Sequence, residues 1–155
     1  MTVDHRALFE RVSRAINDRN FDALGEVFTD DYLLDYPQSG ERIRGLANFR
    51  ATLENYPSGV PRDGIDKSTM RVESDERWVV TPMFTVVRVE GSGTVGTATF
   101  KNRYPDGSIW WTVQMYELEG DKIARATTFF APVFEAPEWR IPYVEPMAAG
   151  GHETS

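Results

Sequence analysis

The feature that most constrains this chain is a series of β-type segments that follows a mainly helical beginning. The segments are rich in Val, Thr and aromatic residues, as strands are, and they cover residues 68–74, 78–90, 94–104, 109–118 and 122–130. Short sequences of turn-forming residues, such as Pro105-Asp-Gly107 and Glu119-Gly-Asp121, separate them. Turns this short join neighbouring strands as hairpins. The larger part of the chain therefore predicts an antiparallel sheet.

Helical segments precede this sheet. Apolar residues recur with the spacing of an amphipathic helix over residues 4–19, at Leu8, Val12, Ala15 and Ile16. Asn20 is a typical N-cap for a short second helix, and Gly45 opens a third helix that ends before Pro57. A lone strand over residues 32–36 lies between the second and third helices. We therefore predict an α+β fold with three N-terminal helices.

Length and composition indicate one soluble domain. With 155 residues, of which 41% are hydrophobic, the chain can bury a single core. The formal net charge of -7 argues against a nucleic-acid partner, because such partners need a basic surface. No stretch has the length and apolar character of a membrane span or a secretion signal, so we expect no membrane partner and a cytoplasmic location.

The end of the chain differs in composition from the rest. We expect one domain over residues 1–144, in which residues 131–144 form an irregular arm, and a disordered tail over residues 145–155. Prolines interrupt the arm, and we expect its aromatic residues to pin it to the domain: Phe134, Trp139 and Tyr143.

The sequence gives no sign of a metal or cofactor site. It has no cysteine, and its two histidines, His5 and His152, lie near opposite ends of the chain. The stretch Gly91-Ser-Gly-Thr-Val-Gly96 matches a dinucleotide-binding pattern letter for letter. That pattern requires a helix next, to place its N-terminus on the pyrophosphate, whereas a β-type sequence follows here. We interpret the stretch as a hairpin loop and predict neither a metal nor a nicotinamide cofactor.

Two stretches resemble the nuclear-transport-factor-2-like (NTF2-like, or SnoaL-like) superfamily. One is Asp30-Asp-Tyr-Leu-Leu-Asp-Tyr-Pro-Gln-Ser-Gly-Glu-Arg-Ile-Arg-Gly45; the other is Tyr116-Glu-Leu-Glu-Gly-Asp-Lys-Ile123 followed by Phe129-Phe130. The order of elements fits over roughly residues 4–131. The resemblance implies a cone-shaped, cystatin-like fold, in which a curved antiparallel sheet wraps around three helices and leaves a pocket, usually in a homodimer. It specifies the fold well and the function poorly.

The enzymatic branches of this superfamily can be compared position by position. In ketosteroid isomerases the general-base Asp would fall on Tyr36, and Asp35 is one residue out of phase, which turns its side chain to the other face. Their oxyanion-binding Tyr falls on Val12, and their protonated Asp falls near Thr112 or Val113. These roles are unfilled. The acids of the SnoaL-type cyclases and of the epoxide hydrolases also lack evident counterparts.

Strand parity and the resemblance together predict the lining of a pocket. Side chains alternate along a strand, so Tyr32, Leu34 and Tyr36 share one face of the first strand. On the strand over residues 109–118, the family analogy turns four residues inward: Trp110, Thr112, Gln114 and Tyr116. We expect further ligand contacts from the helices and the last strand, at Val12, Phe49, Tyr56 and Phe130. A buried Gln or Thr needs a hydrogen-bond partner, which is either a neighbouring side chain, water or a ligand.

Asp35 and Tyr36 are the candidate catalytic residues. Asp35 is the carboxylate nearest the expected pocket mouth, and burial would make it a general base. Its alternative role is that of a solvated residue beside Arg42 or Arg44, since Asp is seldom fully buried. Tyr36 has two alternatives as well: its hydroxyl donates to a ligand, or the ring packs and the hydroxyl bonds locally.

Two functions are consistent with these features. The first is a protein that binds a small, largely apolar or aromatic molecule in a cone-shaped pocket, as a non-catalytic binding or dimer module. The alternative is a cofactor-independent isomerase, cyclase, dehydratase or hydrolase that uses a pocket carboxylate or Tyr for proton transfer.

The outward-facing side of the strand over residues 109–118 presents an apolar set of residues: Trp111, Val113 and Met115. From this apolar surface we expect a homodimer.

Overall fold

The computed structural model describes residues 2–56, 83–104 and 107–147. Its helices are α1 (His5–Asn17) and α2 (Leu46–Glu54), with 3₁₀ helices at Phe21–Glu26 and Glu138–Tyr143. The predicted strand over residues 68–74 lies outside the described residues. The strands are β1 (Phe28–Tyr36), β2 (Glu41–Arg44), β3 (Met83–Ser92), β4 (Val95–Arg103), β5 (Ile109–Glu119) and β6 (Lys122–Pro132).

The strands form one mixed sheet in the order β2-β1-β6-β5-β4-β3. The hairpins expected from the turn sequences are present, because β3, β4, β5 and β6 pair antiparallel in succession. β1 instead pairs parallel with β6. The prediction of an antiparallel sheet is therefore wrong at this one join, where the two strands are distant in sequence and no turn signal reports on their pairing.

The prediction of three N-terminal helices also needs correction. The second segment forms only a 3₁₀ helix of 6 residues, and the side chain of Asn20 makes no capping hydrogen bond there. A segment this short, with Gly25 inside it, cannot sustain the cooperative hydrogen bonding of an α-helix. α2 follows β1 and β2 in the chain, so it does not precede the sheet.

Strand β2 was not predicted. Its sequence, Glu41-Arg-Ile-Arg44, reads as a polar turn, yet it pairs antiparallel with β1 at the edge of the described sheet. Charged side chains are common on edge strands, where they discourage pairing with other chains. The chain then turns at Gly45, whose φ of 91° favours glycine.

The core lies between α1 and the sheet. The helix begins at His5, after Asp4 accepts a hydrogen bond from the Ala7 amide at 3.0 Å as the N-cap. Its apolar face is buried, and Phe9 is fully enclosed, with its ring centroid 4.5 Å from that of Tyr116 and 5.8 Å from that of Phe100. These contacts join the helix to β4 and β5.

The glycine-rich stretch forms the β3–β4 hairpin, as predicted. Gly91 and Gly96 are cross-strand partners in the register of the two strands. A Cβ at Gly91 would lie 2.3 Å from the His5 ring, and one at Gly96 would lie 2.3 Å from the Tyr116 hydroxyl. The two glycines thus leave room for a His5–Tyr116 pair, in which the His5 Nδ1 and the Tyr116 hydroxyl are 2.6 Å apart.

The expectation that aromatic residues pin the C-terminal arm is wrong for the single chain. Residues 131 and 132 of the predicted arm belong to β6, and the name arm is kept for residues 133–147. This segment exposes most of its large apolar side chains: Phe134 is 73% exposed, Trp139 72% and Tyr143 82%. The 3₁₀ helix over Glu138–Tyr143 buries none of its residues. The arm therefore extends from the end of β6 without joining the core. Residues 148–155 of the predicted tail lie outside the described residues.

Candidate functional site

A cavity of about 70 Å³ lies between α1, α2 and the inner face of the sheet. Most of its lining is aliphatic or aromatic, and a few hydroxyl and amide groups interrupt it. The lining residues are Val12, Ser13, Ile16, Phe28, Tyr32, Leu34, Tyr36, Phe49, Phe84, Phe100, Thr112, Gln114, Thr128 and Phe130.

The predicted convergence of Tyr36 and Gln114 on one cavity is confirmed as geometry. Both residues line it, together with Val12, Phe49 and Phe130. The pleat of two strands is sufficient to produce this arrangement, because each brings alternate side chains to the inner face. Their contact with a ligand stays a prediction.

Two buried hydroxyl groups among the residues that line this cavity lack a short, well-aligned hydrogen bond. The Tyr32 side chain is fully enclosed, and neither its hydroxyl nor that of Ser13, on α1, makes such a bond within the described residues. Gln114 interacts with the Tyr32 hydroxyl only through a weaker hydrogen bond, while its amide nitrogen donates to the Thr128 hydroxyl at 2.9 Å. An unpaired buried hydroxyl is unfavourable by roughly 1–3 kcal/mol, so the arrangement favours a bound acceptor, donor or water.

The tyrosines of the cavity are donors at neutral pH. Burial raises the pKa of Tyr32 well above its usual value, and the nearby Tyr36 raises it further, whereas a hydrogen bond with Gln114 lowers it. Burial likewise raises the pKa of Tyr36 to about 12, with smaller contributions from Tyr104 and Glu41. Both phenols therefore stay protonated at neutral pH and can donate a hydrogen bond to a ligand oxygen.

Aromatic side chains surround one end of the cavity. The Tyr36 and Phe130 rings lie 5.3 Å apart between centroids. Gln38, in the turn after β1, holds this end: its amide nitrogen donates to the Phe130 carbonyl at 2.7 Å, and its amide oxygen accepts from the Phe130 amide at 2.6 Å. Gln38 thereby continues the β1–β6 pairing beyond the end of β1.

Three predicted ligand contacts lie elsewhere. Tyr56 stacks on Tyr104 at 6.2 Å, and Trp110 meets Tyr104 edge-on at 6.1 Å, so both belong to an aromatic cluster outside the cavity lining. Tyr116 does face inward, but it packs against His5 and Phe9 toward the other end of β5. Parity gave the correct side of the strand for Tyr116, yet the cavity spans only part of that strand.

The structure does not bring Asp35 to the cavity. Its carboxylate accepts two hydrogen bonds from the Arg42 guanidinium, at 2.7 and 2.9 Å, on the outer side of β1. The bond to Arg42 lowers the pKa of Asp35, and Arg125 and Arg44 lower it further. The ion-pair alternative is therefore the correct one, and the assignment of Asp35 as a pocket base needs correction. Asp35 and Tyr36 are neighbours on one strand, so they point to opposite faces.

Sequence reasoning missed several lining residues: Ser13, Ile16, Phe28, Phe84, Phe100 and Thr128. A signal existed for two of them. Thr128 lies directly opposite Gln114 in the β5–β6 register, and Ser13 follows Val12 on the buried face of α1. Phe84 and Phe100 come from the far strands of the sheet, whose curvature the local sequence does not report.

No group of three metal-ligating side chains occurs within residues 2–56, 83–104 and 107–147. Over the same residues, no helix has both the length and the apolar character that crossing a membrane requires.

A curved mixed sheet with an internal cavity against two α-helices defines the class of NTF2-like α+β proteins. Residues 9–126 match the model of the SnoaL-like domain, and the chain belongs to that family. No curated protein matches the chain.

Solved structures of the same fold extend over nearly the whole chain. An NTF2-like protein of unknown function from Burkholderia xenovorans is 29% identical, with a TM-score of 0.69, and the match covers 92% of this chain and 94% of that one. A candidate ketosteroid isomerase from Kribbella flavida is 21% identical, with a TM-score of 0.68 and coverage of 93% and 90%. An epoxide hydrolase from Mycobacterium tuberculosis is 14% identical, with a TM-score of 0.53 and coverage of 80% of each chain. These likenesses concern the fold, because neighbours with one fold differ in reaction.

Proposed function

We propose that the protein binds a small, neutral, largely apolar molecule that carries a hydrogen-bond acceptor, and that it does so without proton-transfer chemistry. The observation that carries this proposal is the pair of buried hydroxyls without a short, well-aligned hydrogen bond, those of Tyr32 and Ser13, in an otherwise apolar cavity. A carbonyl or ether oxygen placed beside Tyr32 would accept such a bond, while aromatic and aliphatic walls bury the rest of the molecule.

The charges around the cavity support binding over catalysis. None of its described lining residues is a carboxylate, a histidine or a lysine. The only titratable groups in this set are Tyr32 and Tyr36, and burial displaces their pKa values away from neutrality. A general base works best with a pKa near the working pH, so neither phenol suits that role.

The size of the cavity limits the ligand. A ligand of drug-like size needs a pocket of roughly 300–1,000 Å³. The cavity of about 70 Å³ is much smaller, and it is also smaller than the cavity of about 150 Å³ that can hold benzene, so we propose a ligand of about four or five non-hydrogen atoms.

A pair of probes of equal shape tests the proposed function. Acetone offers a carbonyl oxygen, and 2-methylpropene replaces that oxygen by a methylene group. We expect the protein to bind acetone more tightly, by about 5- to 150-fold, which corresponds to roughly 1–3 kcal/mol for one satisfied buried hydroxyl. NMR titration of the amide resonances measures both affinities.

Tyr32→Phe is expected to abolish this preference, because it removes the donor and leaves the ring in place. Tyr116→Phe is the matched control, since the Tyr116 hydroxyl contacts His5 outside the cavity lining. Equal affinity of the wild-type protein for the two probes, or binding of neither, would contradict the proposal.

We also propose a homodimer through the outer face of the sheet. Val95 is 54% exposed on β4, and Val113 and Met115 are 38% and 48% exposed on β5. Phe129, opposite Val113 on β6, is 38% exposed and extends this apolar patch. Patches of this kind on a soluble protein commonly mark interaction surfaces.

Trp111→Glu, on the same outward row, is expected to give monomers in sedimentation experiments at micromolar concentration, because it places a charge in the interface. Ala47→Glu, on the exposed side of α2, is the control and should remain dimeric. A Trp111→Glu protein that stays dimeric would show that the interface lies elsewhere.

A further inference from the structure

The C-terminal arm carries large apolar side chains that its own chain does not bury. Besides its aromatic residues, Val133 is 58% exposed, Ile141 59% and Met147 74%. So many exposed apolar residues in 15 consecutive positions exceed what a solvated surface needs, and a contiguous apolar surface on a soluble protein usually has a partner. The arm begins close to the outer apolar patch, because it starts at the end of β6, four residues after Phe129.

A groove of about 550 Å³ crosses the outer face of the same sheet. Leu33 and Met115 supply its apolar surface, and Asp35, Glu117 and Arg125 supply charges of both signs. It lies on the side of the sheet opposite the internal cavity, so it is a separate surface from the proposed ligand site.

We propose that the arm of one chain lies across the outer face of a second copy, with Trp139 in this groove. The inference rests on the proposed outer-face dimer and adds to it the segment that completes each subunit's interface. The resulting exchange is reciprocal, as two-fold symmetry requires.

The charges beside Trp139 and the length of the arm are both compatible with binding of the arm to the outer face of a second copy. Trp139 lies between Glu138 and Arg140, so an acidic and a basic group accompany the indole into a groove edged by Arg125 and by acidic side chains. The 3₁₀ helix of 6 residues rises by about 2.0 Å per residue, and the rest of the arm reaches at most about 3.3 Å per residue, so the whole arm spans roughly 40 Å. Six strands at a spacing of about 4.8 Å span less than 30 Å, so the arm can cross the whole face of a partner.

Cross-linking between differently marked chains tests the exchange. The chain has no cysteine, so single substitutions give unique reaction sites. One chain carries Ala136→Cys on the arm, and the other, distinguished by mass, carries Thr127→Cys beside the groove. A short bis-maleimide should join the two chains, and the control pair of Ala136→Cys with Ala47→Cys, on α2, should give no product. Absence of the first product would overturn the proposal. A cross-link that forms only within one chain, when that chain carries both Ala136→Cys and Thr127→Cys, would overturn it as well.

A second measurement uses the full-length chain without cross-linking. Trp139→Ala should weaken dimerisation at least tenfold in sedimentation equilibrium, whereas Thr2→Ala, at the other end of the chain, should leave it unchanged. An unchanged dimer in Trp139→Ala, combined with a monomeric Trp111→Glu, would overturn the arm exchange and leave the outer-face dimer standing. Two dimeric variants would overturn both.

Discussion

Phe9→Ala is expected to lower the free energy of unfolding by about 3–5 kcal/mol, the usual range for removing a fully buried Phe. Phe9 is 0% exposed, and its ring contacts those of Tyr116 and Phe100 on two strands. α1 and the sheet are both held by other contacts, so neither can move far enough to refill the space. Urea denaturation followed by circular dichroism measures the loss.

Arg11→Ala, on the exposed side of the same helix, is the control. Its distant pairing with Glu26, at 3.9 Å, is solvent-exposed and contributes little. We expect a change within about 0.5 kcal/mol. A loss of less than roughly 1.5 kcal/mol in Phe9→Ala would show that the core rearranges around the missing ring.

Gly96→Ala is the second substitution with a large expected effect. The new Cβ would lie 2.3 Å from the Tyr116 hydroxyl and 2.6 Å from the backbone oxygen of Glu90. A backbone oxygen within a hairpin cannot move aside without breaking the pairing, so we expect a loss near the upper end of about 1–3 kcal/mol. The same denaturation experiment applies.

Gly25→Ala separates the steric effect from the general effect of replacing glycine. No atom lies within 4 Å of a Cβ built at Gly25, and its φ is not in the left-handed region. This control should be neutral or stabilising by up to about 1 kcal/mol, because alanine restricts the unfolded chain. If both variants lose the same stability, crowding at Gly96 is not the cause.

Local patterns predicted those parts of the fold that local geometry determines. Period-two alternation correctly placed Gln114 inward and Met115 outward, because the pleat of a strand fixes the side of each residue. The same rule shows why Tyr36 lines the cavity and Asp35 does not. The parallel pairing of β1 with β6 was beyond such rules, since it joins segments about ninety residues apart and no turn links them.

Strand alternation predicted which side of each strand faces the cavity, but not how far the cavity extends along the strand. Parity identifies the wall that contains Gln114, but it does not say how far along β5 the cavity continues. Trp110 and Tyr116 therefore shared the predicted parity and still fell outside the lining. The two hydroxyls without a short, well-aligned hydrogen bond could not be predicted either. Whether a buried Tyr32 or Ser13 makes such a bond depends on the packing of several elements at once.

Gln38 shows that exposure is a poor measure of how much a position matters. Its side chain is exposed, so a survey of surface residues would class Gln38→Glu as a conservative change. A carboxylate, however, has no donor for the Phe130 carbonyl, and its charge would face that oxygen at the distance of a hydrogen bond. Phe130 lines the cavity, so Gln38→Glu, although it changes only a surface side chain, is expected to displace a residue of the cavity wall. Variation among related chains at position 38 is therefore informative about the cavity, although the residue never touches its contents.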